Sequence, residues 1–340
     1  MTSKFEEIRR VRRLTGTVQA HVRLQLLRIG LLKGLFEELR SPLTATELAE
    51  RLDLAPDLVA SWLRAAHAHR LVRFKEERYQ IDGFVRWLLD AQEAPAIRAI
   101  LDQAALTYAP RLGQVPELME GAERPEFGAP EEALRTAAAS RLMERRAIES
   151  LARVPGVRAA RRVLDIGCGY GTYLAGFLTR YRDANGLGIE LDPSVAEEAR
   201  RILREAEVSR RGEIRVGDFM TLDLAEGSYD LVLLNNNLYY FSPDERAALF
   251  ERVLGCLAGH GVFALQTPVA AGGRINRALG AAQSTATFDL FLRAHRNLHG
   301  LPNPDELFSD LREAGFEETG EIAIVPGGGL RYLWARSGSP

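Results

Sequence analysis

Residues 161–171 read Arg-Arg-Val-Leu-Asp-Ile-Gly-Cys-Gly-Tyr-Gly, a short apolar strand that leads into a loop with glycine at every second position. Because Gly167, Gly169 and Gly171 lack a Cβ, they can adopt positive φ angles and leave room for a ligand. Residues 172–181 then read as a helix whose first N–H groups would face that ligand. The pattern predicts a nucleotide-like ligand at the end of a strand.

The carboxylate of Asp165 distinguishes this loop from loops that bind phosphate groups. The spacing Gly167-x-Gly169-x-Gly171 also differs from the Gly-x-Gly-x-x-Gly of dinucleotide-binding folds. We expect Asp165 to lie in the loop itself, where it would repel a pyrophosphate and attract a ligand that carries an ammonium group. S-adenosylmethionine has an ammonium, a sulfonium, a ribose and an adenine, but no phosphate. A plain surface turn between strand and helix is the alternative interpretation.

A second strand supplies the candidate ribose ligand. Residues 187–192 read Leu-Gly-Ile-Glu-Leu-Asp, which is again apolar and ends in acid. The carboxylate of Glu190 can accept hydrogen bonds from both ribose hydroxyls, and we assign the adjacent Leu191 to the same cofactor site. Asp192 is expected to cap the next helix and Pro193 to begin it, so Asp192 can be purely structural.

Two more strands complete the candidate cofactor site. Residues 213–219 form a third strand that ends in Asp218, which can accept the adenine amino group. Phe219 either packs against the adenine ring or belongs to the core. Residues 229–235 are a short unbroken apolar run, typical of a strand buried on both faces. Asn235, at its end, either lines the cofactor pocket or caps the following loop.

The order of these motifs resembles a class I S-adenosylmethionine-dependent methyltransferase over about residues 155–340. The resemblance implies an α/β fold with a Rossmann-like, doubly wound sheet of seven strands, the last of which is antiparallel. Residues 319–325 and 330–336 fit that ending, because two short strands around a glycine-rich turn indicate a hairpin. The resemblance also implies S-adenosylmethionine as cofactor and methyl transfer to a small-molecule acceptor.

Composition and charge restrict the remaining function classes. The 340 residues are too many for one small core and predict two domains. The net charge of −2 provides no global field that would favour nucleic acid or an anionic membrane. The two cysteines, Cys168 and Cys256, offer neither a disulfide framework nor a zinc site, so no metal is expected. A charged N-terminus and the lack of an 18-residue apolar run indicate a cytoplasmic protein without signal peptide or membrane span.

Residues 1–92 are expected to form a winged-helix-like domain. Residues 18–39 are apolar almost all round, as in a helix that is buried or shared with a second chain. Thr44 and Glu47 form a capping box at the start of a short helix, and a second helix begins at Pro56. Two short strands separated by charged residues follow. A helix-turn-helix followed by a two-stranded wing suggests DNA binding.

The second helix of this module argues against DNA binding. Between residues 55 and 70 its cations are Arg64 and Arg70, joined by two histidines, whereas phosphate contact needs a denser basic surface. The module is instead similar to the N-terminal domain of the small-molecule O-methyltransferases of plants and bacteria. That resemblance implies a homodimer formed through this domain, a helical linker at residues 93–155 that walls the substrate pocket, and a cofactor domain at residues 156–340.

The chain departs from that family at the catalytic base. The family places a histidine just after the fourth strand, and here Tyr239 takes its position. With a pKa near ~10, a tyrosine is a poor base at neutral pH, although Tyr239 can orient a substrate or pack above the cofactor. His295 and His299 are further catalytic candidates that would share a helix face if their helix persists. Each is alternatively a surface or capping residue, and the pair lacks a third metal ligand.

Because Tyr239 takes the position of the family's histidine, the class of methyl acceptor is also restricted. A thioether or thiolate needs no strong base, and an acidic hydroxyl needs only a weak one. We therefore expect O- or S-methylation of a sulfur compound or of an already acidic small molecule. Two other classes of protein are consistent with the same sequence features. One is a cofactor-binding winged-helix regulator that binds DNA, which a salt-dependent gel shift would reveal. The second is a methyltransferase-like enzyme that uses the cofactor for a non-methylating reaction. Release of S-adenosylhomocysteine would exclude the second.

Overall fold

The structure is a computed structural model in which residues 4–269, 281–326 and 328–338 are described. Gly327, which belongs to the glycine-rich turn of the predicted hairpin, lies outside the described residues. The chain divides into two compact units, which are Met1–Pro110 with Leu134–Leu142 and Arg111–Ala133 with Met143–Pro340. Within the described ranges, no helix is both long enough and apolar enough to cross a membrane.

The N-terminal part of the chain is helical apart from one hairpin. Its helices are α1 (Lys4–Leu32), α2 (Leu35–Glu38), α3 (Ala45–Leu52), α4 (Pro56–Ala68), α5 (Gly83–Asp90), α6 (Ala94–Gln103), α7 (Ala109–Gly113), α8 (Val115–Met119) and α9 (Pro130–Leu151). A π-helical turn, Ala104–Tyr108, joins α6 to α7. The hairpin consists of β1 (Val72–Lys75) and β2 (Arg78–Ile81), which pair antiparallel. The two helices and the hairpin therefore follow in the predicted order.

The remainder alternates strands and helices. The strands are β3 (Arg162–Ile166), β4 (Asn185–Glu190), β5 (Gly212–Val216), β6 (Tyr229–Asn235), β7 (Leu257–Pro268), β8 (Glu318–Ala323) and β9 (Leu330–Arg336). The helices are α10 (Thr172–Arg180), α11 (Pro193–Glu205), α12 (Pro243–Cys256), α13 (Ala281–Arg293) and α14 (Pro304–Glu313). Two short 3₁₀ turns cover Val157–Ala159 and Leu238–Tyr240.

The start of α3 has the capping box that the sequence predicts. Thr44 Oγ1 accepts a hydrogen bond from the Glu47 backbone N–H at 3.2 Å, and the Glu47 carboxylate accepts one from the Thr44 N–H at 2.8 Å. The apolar stretch 18–39, by contrast, is not one helix. Gly34 has a φ of +68°, and this left-handed residue ends α1 and starts α2 in a new direction.

Seven strands form one sheet in the order β5-β4-β3-β6-β7-β9-β8. The first five of these strands are parallel to one another, whereas β9 pairs antiparallel with both β7 and β8. The predicted doubly wound sheet with an antiparallel last strand is thus confirmed. Because β3, β4 and β6 are adjacent and parallel, their carboxyl ends meet at one edge, where a doubly wound sheet holds its ligand.

Both faces of the sheet are covered. Along β6, Leu231 and Leu233 belong to the core cluster that also holds Leu174 of α10, while Val232 and Leu234 belong to the cluster of the opposite face. All four strand residues are fully buried. Alternate side chains of a pleated strand point to opposite faces, so an unbroken apolar run is what a doubly covered strand requires.

The capping box at α3 predicts a measurable loss of stability for Thr44→Ala. Removing the hydroxyl leaves the Glu47 N–H without its partner, so we expect thermal unfolding to cost about 1 kcal/mol less than in the wild type. Thr46→Ala, an exposed position inside the same helix, is the matched control and should be neutral or slightly stabilising. Equal effects of the two substitutions in thermal unfolding would contradict the assignment.

Candidate functional site

The glycine loop follows β3 and has the backbone that its glycines predict. Gly167, Gly169 and Gly171 have φ angles of +61°, +54° and +68°, a region that L side chains rarely adopt. A Cβ at Gly167 would lie 2.6 Å from the side-chain nitrogen of Asn237. A Cβ at Gly169 would meet no heavy atom of the described residues within 4 Å beyond its chain neighbours. The loop therefore leaves open space beside Gly169.

Asp165 lies inside β3 and not in the loop, so that part of the prediction is wrong. It pairs with Gly188 of β4 and with Leu233 of β6. The parallel ladders continue on both sides through Ile166, which keeps the backbone of Asp165 extended and turns its side chain into the protein. The residue is only 1% exposed.

The carboxyl group of Asp165 is only partly satisfied by the protein. Asn235 Nδ2 donates a hydrogen bond to Oδ1 at 3.2 Å, whereas Oδ2 is buried with no hydrogen-bond partner in the described part of the chain. Burial raises the pKa of Asp165 to about 7; the hydrogen bond from Asn235 opposes this shift, and the negative charge of Glu190 adds to it. A cation placed against Oδ2 would remove the cost of burying this charge.

The asparagines that end β6 have different partners. Asn235 is 8% exposed and, besides its bond to Asp165, accepts a hydrogen bond from the Tyr332 hydroxyl at 3.3 Å. Asn237 Nδ2 donates to the backbone oxygen of Gly167 at 2.7 Å. Asn235 therefore supports the buried carboxyl group, and Asn237 holds the glycine loop. That Asn235 lines the cofactor pocket stays a prediction.

Glu190 ends β4 directly beside the glycine loop. Its Oε2 accepts a hydrogen bond from the Gly169 N–H at 2.9 Å, and its Oε1 accepts one from the Asp192 N–H at 3.1 Å. The neighbouring Leu191 is 69% exposed, so its apolar side chain is open to a ligand. Asp192 caps α11 as predicted, since its Oδ1 accepts from the Ser194 N–H at 2.7 Å.

Asp218 and Phe219 follow β5 but lie in different surroundings. Asp218 is exposed, and its Oδ1 accepts a hydrogen bond from the Met220 N–H at 2.8 Å. Phe219 is 4% exposed within the core. The Arg252 guanidinium lies 5.2 Å from its ring centre, and Arg252 Nε donates to its backbone oxygen at 2.6 Å. The structure thus places Phe219 in the core, which is one of the two alternatives that the sequence left open.

Tyr239 lies in the 3₁₀ turn that follows β6 and is 8% exposed. Its ring meets Phe288 edge to face at a centroid distance of 5.5 Å and lies 5.2 Å from the ring of Tyr240. Its backbone oxygen accepts a hydrogen bond from the His299 N–H at 2.8 Å. The turn is therefore packed against the segment that holds the candidate histidines.

The two histidines do not share a helix face, because α13 ends at Arg293. The condition of that expectation, a helix that persists through both histidines, is therefore not met. His295 lies in the turn after the helix and is 1% exposed. Its Nδ1 lies 2.8 Å from the Phe291 backbone oxygen and must carry the hydrogen, since a carbonyl only accepts. His299 is half-buried.

The two arginines near the histidines already form ion pairs with acidic side chains. Arg293 is paired with Asp289, and Arg296 with Glu123 and Glu126. Among the described residues, no group of three or more histidine, cysteine or acidic side chains is placed to hold a metal ion. Sequence reasoning missed Tyr332, because nothing local in the C-terminal hairpin connects it with β6.

The raised pKa of Asp165 makes the stability of the ligand-free protein depend on pH. Between the ordinary value of 3.8 and about 7, the folded state keeps a proton that the unfolded state has lost. The contribution of Asp165 to stability is therefore fully present below pH 4 and is lost as the pH rises through 7. The neutral amide of Asp165→Asn avoids this loss, so we expect it to raise stability by about 2–4 kcal/mol at pH 8 and hardly at pH 4.

Thermal unfolding at the two pH values measures this difference. Asp183→Asn, in which the replaced side chain is 78% exposed, is the matched control and should show no such trend. A gain for Asp165→Asn that is the same at pH 4 and pH 8 would contradict the assigned protonation.

Comparison with known proteins supports the architecture. A methyltransferase domain family matches residues 163–261. A trans-aconitate 2-methyltransferase of Methylobacterium radiotolerans is 37% identical over 124 residues, which are 36% of this chain and 44% of that protein. The chain thus matches less than half the length of that relative.

Solved structures resemble the chain over nearly its whole length. The mitomycin 7-O-methyltransferase has a TM-score of 0.81 at 19% identity, covering 98% of this chain and 100% of that chain. Human N-acetylserotonin methyltransferase, solved in complex with S-adenosylmethionine, has a TM-score of 0.76 at 16% identity, covering 97% and 98%. At these identities the likeness concerns the fold. The family match identifies a methyltransferase domain at residues 163–261.

Proposed function

We propose that the chain binds S-adenosylmethionine and transfers its methyl group to a small-molecule acceptor. The observation that carries this proposal is the buried Asp165 carboxyl group beneath the glycine loop, with one oxygen lacking a partner among the described residues. The ammonium group of the cofactor is the cation that such an oxygen favours. A pyrophosphate fits poorly, because Asp165 and Glu190 together place two acidic groups beside the loop.

The remaining residues of this edge suit the other parts of the cofactor. The open side of Gly169 accommodates the methionine portion, and Glu190 accepts the ribose hydroxyls through the lone pairs that its two backbone hydrogen bonds leave free. Exposed Leu191 offers an apolar surface to the adenine, and exposed Asp218 offers an acceptor to its amino group. Phe219 supports this end of β5 from the core.

When bound, S-adenosylmethionine supplies both the electrophilic methyl group and its leaving group. The chain aligns an acceptor with that methyl group and keeps water out. Tyr239 and Tyr240 lie just after β6, and Phe288 of α13 packs against Tyr239. These aromatic side chains are suited to an apolar acceptor. In the solved relative named above, N-acetylserotonin methyltransferase, the cofactor is S-adenosylmethionine, which supports the same cofactor here.

Glu190→Ala tests the ribose assignment. We expect the variant to bind S-adenosylmethionine more weakly by about 1–3 kcal/mol, because a charged hydrogen-bond acceptor is lost. Glu197→Ala, on the solvent side of α11 where the carboxylate pairs with Arg200, removes the same group without touching the proposed site. Isothermal titration calorimetry should therefore separate the two variants, and equal affinities would remove Glu190 from the site.

The reaction itself is tested by its product. Formation of S-adenosylhomocysteine together with a methylated acceptor supports methyl transfer. Consumption of the cofactor without S-adenosylhomocysteine would instead favour a non-methylating reaction on the same scaffold.

We further propose that the chain forms a homodimer through its N-terminal helices. The helix α1 exposes a row of apolar side chains at spacings of three, four and seven residues, a pattern typical of helices that pack against a partner helix. The row consists of Ile8, Val11, Val18, Val22, Ile29 and Leu32, with exposed fractions between 36% and 76%. A second copy presents the same row, so the interface is self-complementary.

Val18→Lys should disrupt this dimer, because it places a charge in the middle of the apolar row. Ala20→Lys, which is exposed on the other side of α1, is the matched control and should remain dimeric. Sedimentation velocity distinguishes the two states. A wild-type protein that sediments as a monomer at micromolar concentration would exclude the proposed dimer.

A further inference from the structure

A tight turn at residues 218–222 follows β5 directly. The Asp218 backbone oxygen accepts hydrogen bonds from the N–H groups of Thr221 at 3.1 Å and Leu222 at 2.9 Å. The Asp218 side chain joins the same turn, because its Oδ1 accepts a hydrogen bond from the Met220 N–H at 2.8 Å. The carboxylate is exposed, so its direction depends on the conformation of the turn.

The turn begins beside the proposed ribose ligand. The Gly217 N–H donates a hydrogen bond to the Glu190 backbone oxygen at 3.0 Å, and Glu190 pairs with Val216 in the parallel ladder of β4 and β5. Neighbouring strands of a sheet lie about 4.8 Å apart. A base attached to a ribose at Glu190 is therefore within reach of the Asp218 carboxylate.

One arginine of α12 contacts this turn at both ends. Arg252 Nε donates a hydrogen bond to the Phe219 backbone oxygen at 2.6 Å, and Arg252 Nη2 donates one to the Leu222 backbone oxygen. The guanidinium also lies 5.2 Å from the centre of the Phe219 ring. A single planar group thus spans the turn from its second residue to its last.

The helix that carries Arg252 is held by the core, since Leu249, Phe250 and Val253 of α12 are fully buried. In the described part of the chain, Arg252 forms no ion pair with an acidic side chain, and its side chain contacts the turn instead. A lysine has the same charge but only one nitrogen, which cannot span two carbonyl oxygens while the side chain lies over a ring. The contact therefore requires a guanidinium.

We propose, on the basis of the cofactor binding proposed above, that Arg252 is a positioning residue that gives the cofactor site its preference for adenine. By holding two carbonyl oxygens of the turn, Arg252 keeps the Asp218 carboxylate directed at the 6-amino group of the base, which donates a hydrogen bond to it. Hypoxanthine has an oxygen at this position and a hydrogen on the neighbouring ring nitrogen. A fixed carboxylate meets that oxygen as a second acceptor, whereas a mobile one can shift to the ring N–H.

A purely structural role for Arg252 predicts a different result. Loss of its hydrogen bonds would then lower stability and weaken the binding of both nucleosides alike. A positioning role instead changes the ratio of two affinities for ligands that differ at one position of the base. The ratio of the two dissociation constants is therefore the informative quantity.

Isothermal titration calorimetry with S-adenosylhomocysteine and S-inosylhomocysteine measures this ratio. We expect the wild type to prefer the adenine compound by about 10-fold, the effect of one hydrogen bond to a charged group. Arg252→Met keeps an apolar stem over the Phe219 ring, and Arg252→Lys keeps the charge. Each should reduce the preference to about 2-fold or less. A wild type without a preference, or variants that keep it in full, would overturn the proposal.

Arg211→Met is the matched control. Arg211 lies just before β5, at the opposite end of that strand, and donates hydrogen bonds at 2.8–3.2 Å to the backbone oxygens of Leu178, Tyr181 and Ala184. Its replacement should lower stability and leave the preference for adenine unchanged. An equal loss of preference in this variant would mean that general destabilisation is the cause, which contradicts a specific role of Arg252.

The coupling between Arg252 and its target is tested with Asp218→Asn. The amide can accept a hydrogen bond from adenine or donate one to the hypoxanthine oxygen, so this variant should bind the two compounds about equally. Adding Arg252→Met should then change the ratio no further, because both substitutions act on the same contact. A full additional change in the double variant would show independent effects and refute the inference.

Two further results separate this inference from the proposed function. If the wild type binds neither compound, the cofactor assignment itself is wrong. If the wild type binds S-adenosylhomocysteine with a preference that both Arg252→Met and Arg211→Met retain, the cofactor assignment stands and the role given to Arg252 is wrong.

Discussion

The hydrogen bond between Asn235 and Asp165 is the contact on which the candidate site depends. It joins the ends of two neighbouring parallel strands and leaves the second carboxyl oxygen buried without a partner among the described residues. An unpaired buried acceptor is unfavourable for folding alone, and this cost is the basis of the proposal that a cofactor ammonium group binds here. The surrounding contacts serve the same end, since Tyr332 orients Asn235 and Asn237 fixes the loop.

Burial acts in the same way on two titratable groups, Asp165 and His295, and shifts their pKa values in opposite directions. It favours the neutral form of each group. For Asp165 the neutral form is a carboxylic acid. For His295 the neutral form is an imidazole with a free lone pair, which is the form that accepts a proton. One physical effect thus favours the uncharged form of both groups in the folded chain.

Much of the fold follows from local sequence signals. The apolar run at residues 229–235 has the bounds of β6, and the capping box at Thr44 is present, because both patterns depend on residues close together in the chain. The error at Asp165 and the alternatives left open at Phe219 concern long-range contacts. The position of Asp165 depends on strand pairing with β4 and β6, and the environment of Phe219 depends on Arg252. The end of α13 before His295 was missed because periodicity in a short segment does not determine where a helix stops.

The position of β9 in the sheet has a consequence for biosynthesis. Tyr332 reaches Asn235 across 97 residues of sequence, and β9 lies between β7 and β8. As the chain emerges from the ribosome, β3 to β7 can pair before β9 exists, and during that interval Asn235 lacks its phenolic partner and β7 has an open edge. Such an edge attracts other strands. Nascent chains of this protein are therefore expected to need chaperone protection until the final hairpin is translated.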